Sequence, residues 1–142
     1  MILGQGVDIV EISRIAKAFN KFGERFVNKF LSQEEILMMP KERNKIVSFL
    51  VKHWAVKEAA SKAVGCGLIN GSLLHFNDIT LSKEEKQPFT GRPIIKLNNH
   101  IIDVVAKMYN LSKDEMEKIV FHISTSGDGA YVVASVILEL QN

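Results

Sequence analysis

Two acidic residues and one lysine could form a reactive site, because each occurs within an otherwise apolar segment. Asp8 is the one acid in residues 4–10, and Glu58 and Lys62 lie four residues apart in a stretch rich in alanine and valine. Two carboxylates together with substrate phosphates are the usual way in which proteins hold Mg²⁺. The three residues are therefore a candidate site for a cation and an anion, provided that the fold brings Asp8 and Glu58 together.

Each of these residues also has an ordinary structural explanation. Asp8 could cap the helix that follows it, and Glu58 and Lys62 could be an i,i+4 ion pair, which stabilises an exposed helix by about 0.2–0.5 kcal/mol. However, the helix that carries Glu58 and Lys62 is apolar on nearly every side. Burying an unpaired charge in such surroundings costs several kcal/mol. Both interpretations stay open at this point.

Basic residues recur at spacings of three and four near the N-terminus. On a continuous helix they would line one face, which is either a solvated surface or a docking surface for an acidic protein. These residues are Arg14, Lys17, Lys21, Arg25 and Lys29. Further cations available for phosphates are Arg43, Lys45, Lys52, Lys57 and Arg92.

Composition excludes several classes of protein. The 142 residues carry a net charge of only +2, which does not favour a general nucleic-acid binder, and no apolar run approaches the roughly 20 residues that cross a bilayer. The N-terminus lacks the pattern of a secretory signal. The single cysteine, Cys66, cannot form an internal disulfide, which fits a reducing, cytoplasmic compartment. The four histidines show no spacing typical of a zinc site.

Hydrophobic periodicity predicts the elements that must position the candidate site. A first strand over residues 2–10 places Gly4, Gly6 and Asp8 on one face, where a ligand or another backbone could approach closely. Helical periodicity follows over residues 11–29, interrupted at Gly23. A capping box at 32–35 begins a helix that ends before Pro40. A long helix over residues 44–64 should end at Gly65–Cys66–Gly67.

The remaining residues predict further strands. Short strands are expected at 79–81 and 93–97, and then an amphipathic helix at 98–109. A second capping box at 112–115 begins a helical turn, and a hairpin joins strands 120–125 and 130–140 through residues 126–129. Residues 1–142 are therefore expected to form a single α+β domain, with a mainly antiparallel sheet packed on the long central helix.

Two motifs together resemble the small, single-domain holo-acyl-carrier-protein synthases of the 4'-phosphopantetheinyl transferase superfamily. The first is Gly6–Val7–Asp8–Ile9–Val10–Glu11–Ile12 followed by Arg14–Ile15, and the second runs from Trp54 through Lys57–Glu58 and Lys62 into Gly65 and Gly67. Weaker similarities are Gly91–Arg92–Pro93, His122–Ile123–Ser124 and Tyr131. The motifs occur in the family's order and span nearly the whole chain.

The resemblance implies an enzyme that moves the 4'-phosphopantetheine arm of coenzyme A onto a serine of apo-acyl-carrier protein, releasing 3',5'-ADP, in fatty acid biosynthesis. It implies that Asp8 and Glu58 are the magnesium ligands and that Lys62 lies against the phosphates, with Glu58 and Lys62 catalytic. The base that removes the serine proton is Glu58 or a metal-bound water. The resemblance further implies that the active sites form between neighbouring subunits of a homotrimer.

Two positions depart from the family pattern at the nucleotide end of coenzyme A. His53 stands where an arginine is common, and Gly127 stands where a histidine or aspartate often occurs. The further residues expected to contact coenzyme A are Gly65, Arg92, Pro93 and His53, and those expected to bind the carrier protein are Arg14, Lys17, Lys21 and Arg25. Two rival interpretations are a magnesium-dependent hydrolase of a nucleotide diphosphate and a non-catalytic basic module that binds an acidic partner.

Overall fold

The computed structural model describes residues 1–66, 74–85 and 91–142, which fold into six helices and five strands. The strands are β1 (Ile2–Glu11), β2 (Ile79–Lys83), β3 (Pro93–Leu97), β4 (Ile119–Asp128) and β5 (Tyr131–Leu140). The helices are α1 (Ile12–Phe22), α2 (Glu24–Phe30), α3 (Gln33–Met38), α4 (Arg43–Val64), α5 (Asn99–Tyr109) and α6 (Lys113–Met116), and a 3-10 turn at Phe76–Asp78 precedes β2. Within the described residues, no helix is long and apolar enough to cross a membrane.

The strands form two antiparallel sheets, which confirms the predicted α+β class. A three-stranded sheet has the order β1-β5-β4, and β2 pairs with β3. The hairpin of β4 and β5 is tighter than predicted. Ser126 and Gly127 continue the ladder opposite Val133 and Val132, so the turn shrinks to Gly129 and the residue after it, with Gly129 at φ 55°.

Gly23 separates α1 from α2, as the sequence indicates. Its backbone has φ 52° and ψ −128°, a conformation that side chains with a Cβ rarely adopt. Because the helix does not continue through Gly23, the five basic residues do not line one continuous helix face. Arg14, Lys17 and Lys21 belong to α1, whereas Arg25 and Lys29 belong to α2.

The central helix α4 is buried on most sides, as its apolar composition predicts. It packs against β1 and β5, and it ends where Gly65 adopts the left-handed conformation at φ 85°. The Gly65 and Cys66 N–H groups donate to the Lys62 and Ser61 carbonyls, each at 3.1 Å. Gly67, the other glycine of the predicted helix end, lies outside the described residues.

Glycine allows β1 to lie directly against the backbone of α4. A Cβ atom at Gly6 would lie 1.9 Å from the Ala59 carbonyl oxygen, and one at Gly4 would lie 1.9 Å from the Ala63 carbonyl oxygen. These distances are far below van der Waals contact, so only glycine fits. Of the two possibilities that the sequence left open, a ligand or another backbone, the glycines admit another backbone.

His53 lies on a buried side of α4 with only 5% of its surface exposed. Its Nδ1 is 2.8 Å from the Phe49 carbonyl oxygen, and its ring stacks on the Phe49 ring. Burial lowers the pKa of His53 to about 4. The imidazole is therefore neutral at pH 7.

Substituting Gly6 should separate the strand from the helix. We expect Gly6→Ala to lower the free energy of unfolding by at least about 2 kcal/mol, because overpacking that moves backbone costs this much or more. Gly127→Ala is the matched control, since a Cβ there meets nothing closer than 3.6 Å. Chemical denaturation measures both, and equal stabilities for the two variants would contradict the close contact.

The buried histidine should make folding sensitive to acid. Because folding lowers the pKa of His53, the unfolded chain binds a proton at a higher pH than the folded chain does. The contribution of the neutral imidazole to the free energy of unfolding is therefore fully present above about pH 6.5 and is lost as the pH falls towards 4. The slope contributed is at most about 1.4 kcal/mol per pH unit. We expect His53→Gln to flatten the measured profile of unfolding free energy between pH 6.5 and 4.5, and parallel profiles would contradict the buried neutral imidazole.

Candidate active site

The close packing of β1 on α4 places Asp8 against Lys62. Lys62 Nζ donates to Asp8 Oδ1 at 2.9 Å and to the Val7 carbonyl oxygen at 2.9 Å. The Asp8 side chain is 15% exposed and that of Lys62 is 49% exposed. Asp8 is therefore held within the site by a lysine that remains open to solvent on one side.

Glu58 lies one helical turn before Lys62 and is partly buried. Its pKa is raised, first by burial and then by the negative charge of Asp8, while Lys62 and Arg14 oppose the rise. The Asp8 charge is thus the second cause of this rise, after burial. Because Asp8 contacts Lys62, the fold places the acid of the first strand next to the helical turn that carries Glu58 and Lys62.

The donor set at this point suits a hard divalent cation. Asp8 and Glu58 together carry two negative charges and Lys62 one positive charge, which leaves an excess of one negative charge when all three are ionised. Within residues 1–66, 74–85 and 91–142, no group of three His, Cys, Asp or Glu side chains could hold a metal. The protein therefore offers two carboxylates, and a cation there would need further oxygen ligands from water or a substrate, as Mg²⁺ usually does.

A cavity of about 620 Å³ opens beside Glu58. Aromatic rings form most of its wall and basic side chains lie at its edge. The lining residues other than Glu58 are Ala18, Phe22, Arg25, Phe26, Lys29, Phe30, Trp54, His75 and Phe76. The buried Nε1 of Trp54 has no hydrogen-bond acceptor among the described residues, so this wall contains an unsatisfied donor.

The basic residues of α1 and α2 approach the same site. Arg14 Cζ lies 5.8 Å from the centre of the Trp54 ring, within the range of a cation–π interaction, and its charge reaches Glu58. Arg25 and Lys29 line the cavity directly. The basic segment is therefore next to the acids, although Gly23 divides it into two helices.

The residues expected to contact coenzyme A do not all line the cavity beside Glu58, and Gly127, one of the two positions associated with its nucleotide end, lies in β4 opposite Val132. His53, Gly91 and Pro93 line a second cavity of about 440 Å³. Asp8, Glu58 and Lys62 are not among the lining residues of this second cavity. Arg92 is exposed beside this cavity, and Gly65 ends α4 immediately after the Lys62 turn.

Lys52 and Lys83 both line the second cavity next to His53. The sequence predicts Lys52 as one of several cations available for phosphates and contains no local signal for Lys83. The signal that identifies Lys83 is its position as the last residue of β2, opposite Pro93 in the ladder. That pairing is a property of the sheet and is invisible in local sequence.

Lys57 is not available for phosphates, which corrects one sequence prediction. Its side chain is fully buried, and its Nζ donates to Glu35 Oε2 at 2.6 Å. Glu35 had been assigned only a role in the capping box of α3, which the structure confirms. Periodicity on α4 did not reveal this partner because Glu35 lies 22 residues away in sequence.

Sequence comparison finds close relatives along the whole chain. The model of the 4'-phosphopantetheinyl transferase superfamily matches residues 4–133. A holo-[acyl-carrier-protein] synthase from Vibrio campbellii is 40% identical over 138 residues, covering 97% of this chain and 98% of the relative. One from Campylobacter fetus is 36% identical over 134 residues, covering 94% and 97%.

Solved structures that resemble this chain belong to the same family as its sequence relatives. The holo-[acyl-carrier-protein] synthase from Neisseria meningitidis matches with a TM-score of 0.77 and 30% identity, over 98% of this chain and 99% of that one. The Helicobacter pylori enzyme, solved in complex with coenzyme A, matches with a TM-score of 0.70 and 30% identity, over 95% and 99%. With the family motifs, the fold and the convergence of Asp8, Glu58 and Lys62 all in agreement, this chain belongs to the holo-[acyl-carrier-protein] synthases of the 4'-phosphopantetheinyl transferase superfamily.

Proposed function

We propose that this protein transfers the 4'-phosphopantetheine arm of coenzyme A to a serine of apo-acyl-carrier protein and releases 3',5'-ADP. Membership of the synthase family supports this reaction, and one structural observation supports its location. Asp8 contacts Lys62 at 2.9 Å, Glu58 lies one helical turn before Lys62, and Glu58 lines a cavity of about 620 Å³. The product, holo-acyl-carrier protein, is the form used in fatty acid biosynthesis, and we place the reaction in the cytoplasm.

Asp8 and Glu58 are the residues that would hold Mg²⁺. Their hard oxygen donors and their excess negative charge fit this ion. When bound, Mg²⁺ supplies neutralisation of charge on the pyrophosphate of coenzyme A. Burial, and then the negative charge of Asp8, raise the pKa of Glu58, and a divalent cation beside the two carboxylates would favour their ionised forms.

Lys62 and Glu58 would act on the substrates directly. Phosphoryl transfer depends mainly on positioning and on charge stabilisation, and Lys62 offers a point charge that is half open to solvent. Its ammonium could contact a phosphate oxygen while keeping its bond to the Val7 carbonyl. The acceptor for the serine proton is Glu58 or a neighbouring water.

The second cavity is the proposed site of the nucleotide end. Lys52 and Lys83 would supply positive charge there, because the neutral imidazole of His53 cannot replace the arginine common in the family. Pro93 would form part of the apolar wall, with Gly65 and Arg92 as further contacts. Gly127 has no Cβ with which to contribute a nucleotide contact.

A homotrimer would account for two features of the surface. Apolar side chains are exposed on the sheet face opposite α4, where Val7, Ile9 and Val133 are respectively 50%, 62% and 36% exposed and Ile9 is paired with Val133. A partner subunit would cover such a patch. The acids and the nucleotide cavity also lie apart within one chain, which suits an active site completed by a neighbour.

The basic residues Arg14, Lys17, Lys21 and Arg25 are the proposed docking surface for the acidic carrier protein. They lead along α1 and α2 to the cavity beside Glu58. Charges of one sign around a site raise the association rate of an oppositely charged partner. The carrier serine would therefore be delivered at the edge where Glu58 lies.

The decisive test is to mix the protein with apo-acyl-carrier protein, coenzyme A and Mg²⁺ and to weigh the carrier by mass spectrometry. We expect a mass gain equal to one phosphopantetheine arm. Release of phosphopantetheine without a carrier would indicate a hydrolase instead. An unchanged carrier in the presence of both cosubstrates would contradict the proposed transfer.

In the same assay, Asp8→Asn and Glu58→Gln should each lower turnover by about 100-fold or more. Their stabilities should change in opposite directions in metal-free buffer at pH 7. Because folding raises the pKa of Glu58, the folded state disfavours the ionised carboxylate. Ionised Glu58 therefore lowers the free energy of unfolding, and this loss is fully present above the raised pKa. Glu58→Gln should therefore stabilise the protein, whereas Asp8→Asn removes an ion pair and should not.

Thermal unfolding measures this contrast, with Glu42→Gln as the control because Glu42 is exposed on the surface just before α4. Near-normal turnover of either site variant with Mg²⁺ present would contradict the ligand assignment.

Reversing charge on α1 should weaken carrier binding in a salt-sensitive manner. We expect Lys17→Glu with Lys21→Glu to raise KM for the carrier about tenfold at low salt, with the difference shrinking as salt screens the charges. The control pair is Lys113→Glu with Lys118→Glu at α6. Kinetics that do not change with ionic strength, or equal effects of both pairs, would argue against docking on α1.

A further inference from the structure

A buried ion pair lies beneath the aromatic cavity and has no part in the proposed chemistry. Lys57 Nζ donates to Glu35 Oε2 at 2.6 Å, and both side chains are fully buried. Lys57 immediately precedes Glu58 on α4. The charge pair is therefore one residue from the candidate catalytic acid but cannot be reached from solvent.

The ammonium of Lys57 uses all three of its protons within the protein. Besides Glu35, it donates to the Phe30 carbonyl oxygen at 2.6 Å and to the Phe76 carbonyl oxygen at 3.1 Å. An ammonium has three donors and no acceptor. Lys57 therefore has no hydrogen bond left for a substrate, and its role must be exerted through the groups that it holds.

The carboxylate of Glu35 is held by two backbone N–H groups as well as by Lys57, and the neutral ring of His53 lies beside it, with Nε2 4.0 Å from Oε1. Its Oε2 accepts from the Ser32 N–H at 2.7 Å, and its Oε1 accepts from the Leu81 N–H at 2.8 Å. The pair thus connects the end of α2, the start of α3, the strand β2 and the turn at Phe76 to one point on α4. These contacts join segments that are distant in sequence.

Stability alone is a weak reason for such a pair. Taking two charges out of water is costly, and apolar side chains of similar volume are often as stable or more stable at the same positions. The two carbonyls that Lys57 holds have a more specific significance. They belong to Phe30 and Phe76, whose rings line the cavity that opens at Glu58 and pack on Trp54 with centroid distances of 5.2 and 4.6 Å.

We propose that Lys57 and Glu35 are positioning residues that hold the Phe30 and Phe76 walls at a set distance from Glu58 and so fix the shape of the substrate cavity. The proposal rests on the proposed function, in that the cavity receives part of coenzyme A or of the carrier protein. Lys57 acts through the backbone of both aromatic residues. Glu35 holds Lys57 in place and ties β2 and α3 to the same point.

The test variant is Glu35→Gln with Lys57→Met, which removes both charges while nearly keeping both volumes. The control is Glu42→Gln, which breaks an exposed surface pair with Lys45 at 2.9 Å at the start of the same helix and leaves the lysine in place. Trp54 is the one tryptophan of the chain, so its fluorescence reports directly on the cavity wall. Transfer kinetics, Trp54 emission and calorimetric Mg²⁺ binding are measured on all three proteins.

We expect the buried-pair variant to raise KM for coenzyme A or for the carrier at least tenfold, with a smaller change in kcat. Its Trp54 emission should shift and acrylamide should quench it more strongly, because the wall loosens. Mg²⁺ affinity should stay within twofold of the wild type, since Asp8 and Glu58 are unchanged. The surface-pair control should match the wild type in every readout.

A merely structural role gives a different result. It would lower the melting temperature and the active fraction while leaving KM and the emission of the folded protein unchanged, and that result would overturn the proposal. If the double variant does not fold, Glu35→Asp keeps both charges but withdraws the carboxylate by one methylene. A folded Glu35→Asp with wild-type KM and emission would overturn the proposal equally.

Failure of the proposed function is recognised separately. In that case the wild type itself would not modify the carrier, whereas the Trp54 comparison between the variants would still decide whether the ion pair shapes the cavity.

Discussion

The close contact between the backbone of β1 and that of α4 is the constraint on which the site depends. Gly4 and Gly6 have no Cβ, and the carbonyl oxygens of Ala63 and Ala59 occupy the space where one would lie. Asp8 follows on the same face of the strand and meets Lys62 at 2.9 Å. A larger residue at Gly6 would move this face of β1 away from α4 and would separate Asp8 from Lys62. The contact of the acid therefore depends on the two glycines that precede it.

The central helix combines burial with charge in two different ways. Lys57 is fully buried, and its charge is matched by Glu35 and by two backbone carbonyls. Glu58, by contrast, is only partly buried, and its pKa is raised first by that burial and then by the negative charge of Asp8, against the opposing charges of Lys62 and Arg14. The first charge is satisfied within the fold, whereas the second leaves an electrostatic imbalance of the kind that functional sites often retain.

Two cavities with different linings open along α4, one beside Glu58 and one beside His53. The cavity beside Glu58 has aromatic walls and is approached by the basic residues of α1 and α2. The cavity beside His53 holds Lys52 and Lys83 and lies against the β2–β3 pair. The two cavities share no lining residue, and the apolar side chains of Ile9 and Val133 are exposed on the sheet face opposite α4.

The sequence by itself determined the local elements and the chemistry. Apolar periodicity, the glycine at position 23 and the capping boxes at Ser32 and Ser112 predicted nearly every helix, because each depends on neighbours within a few residues. The family motifs identified Asp8, Glu58 and Lys62, which the fold then brought together.

Only the tertiary structure decided which charges are free to act. The sequence predicted both Lys57 and Lys62 as cations for phosphates, since both lie on one apolar helix, yet the first is buried against Glu35 and the second remains half exposed. It likewise could not show that His53 is neutral or that Lys83 stands beside it. Burial and pairing depend on residues far apart in the chain, and local sequence carries no record of those distances.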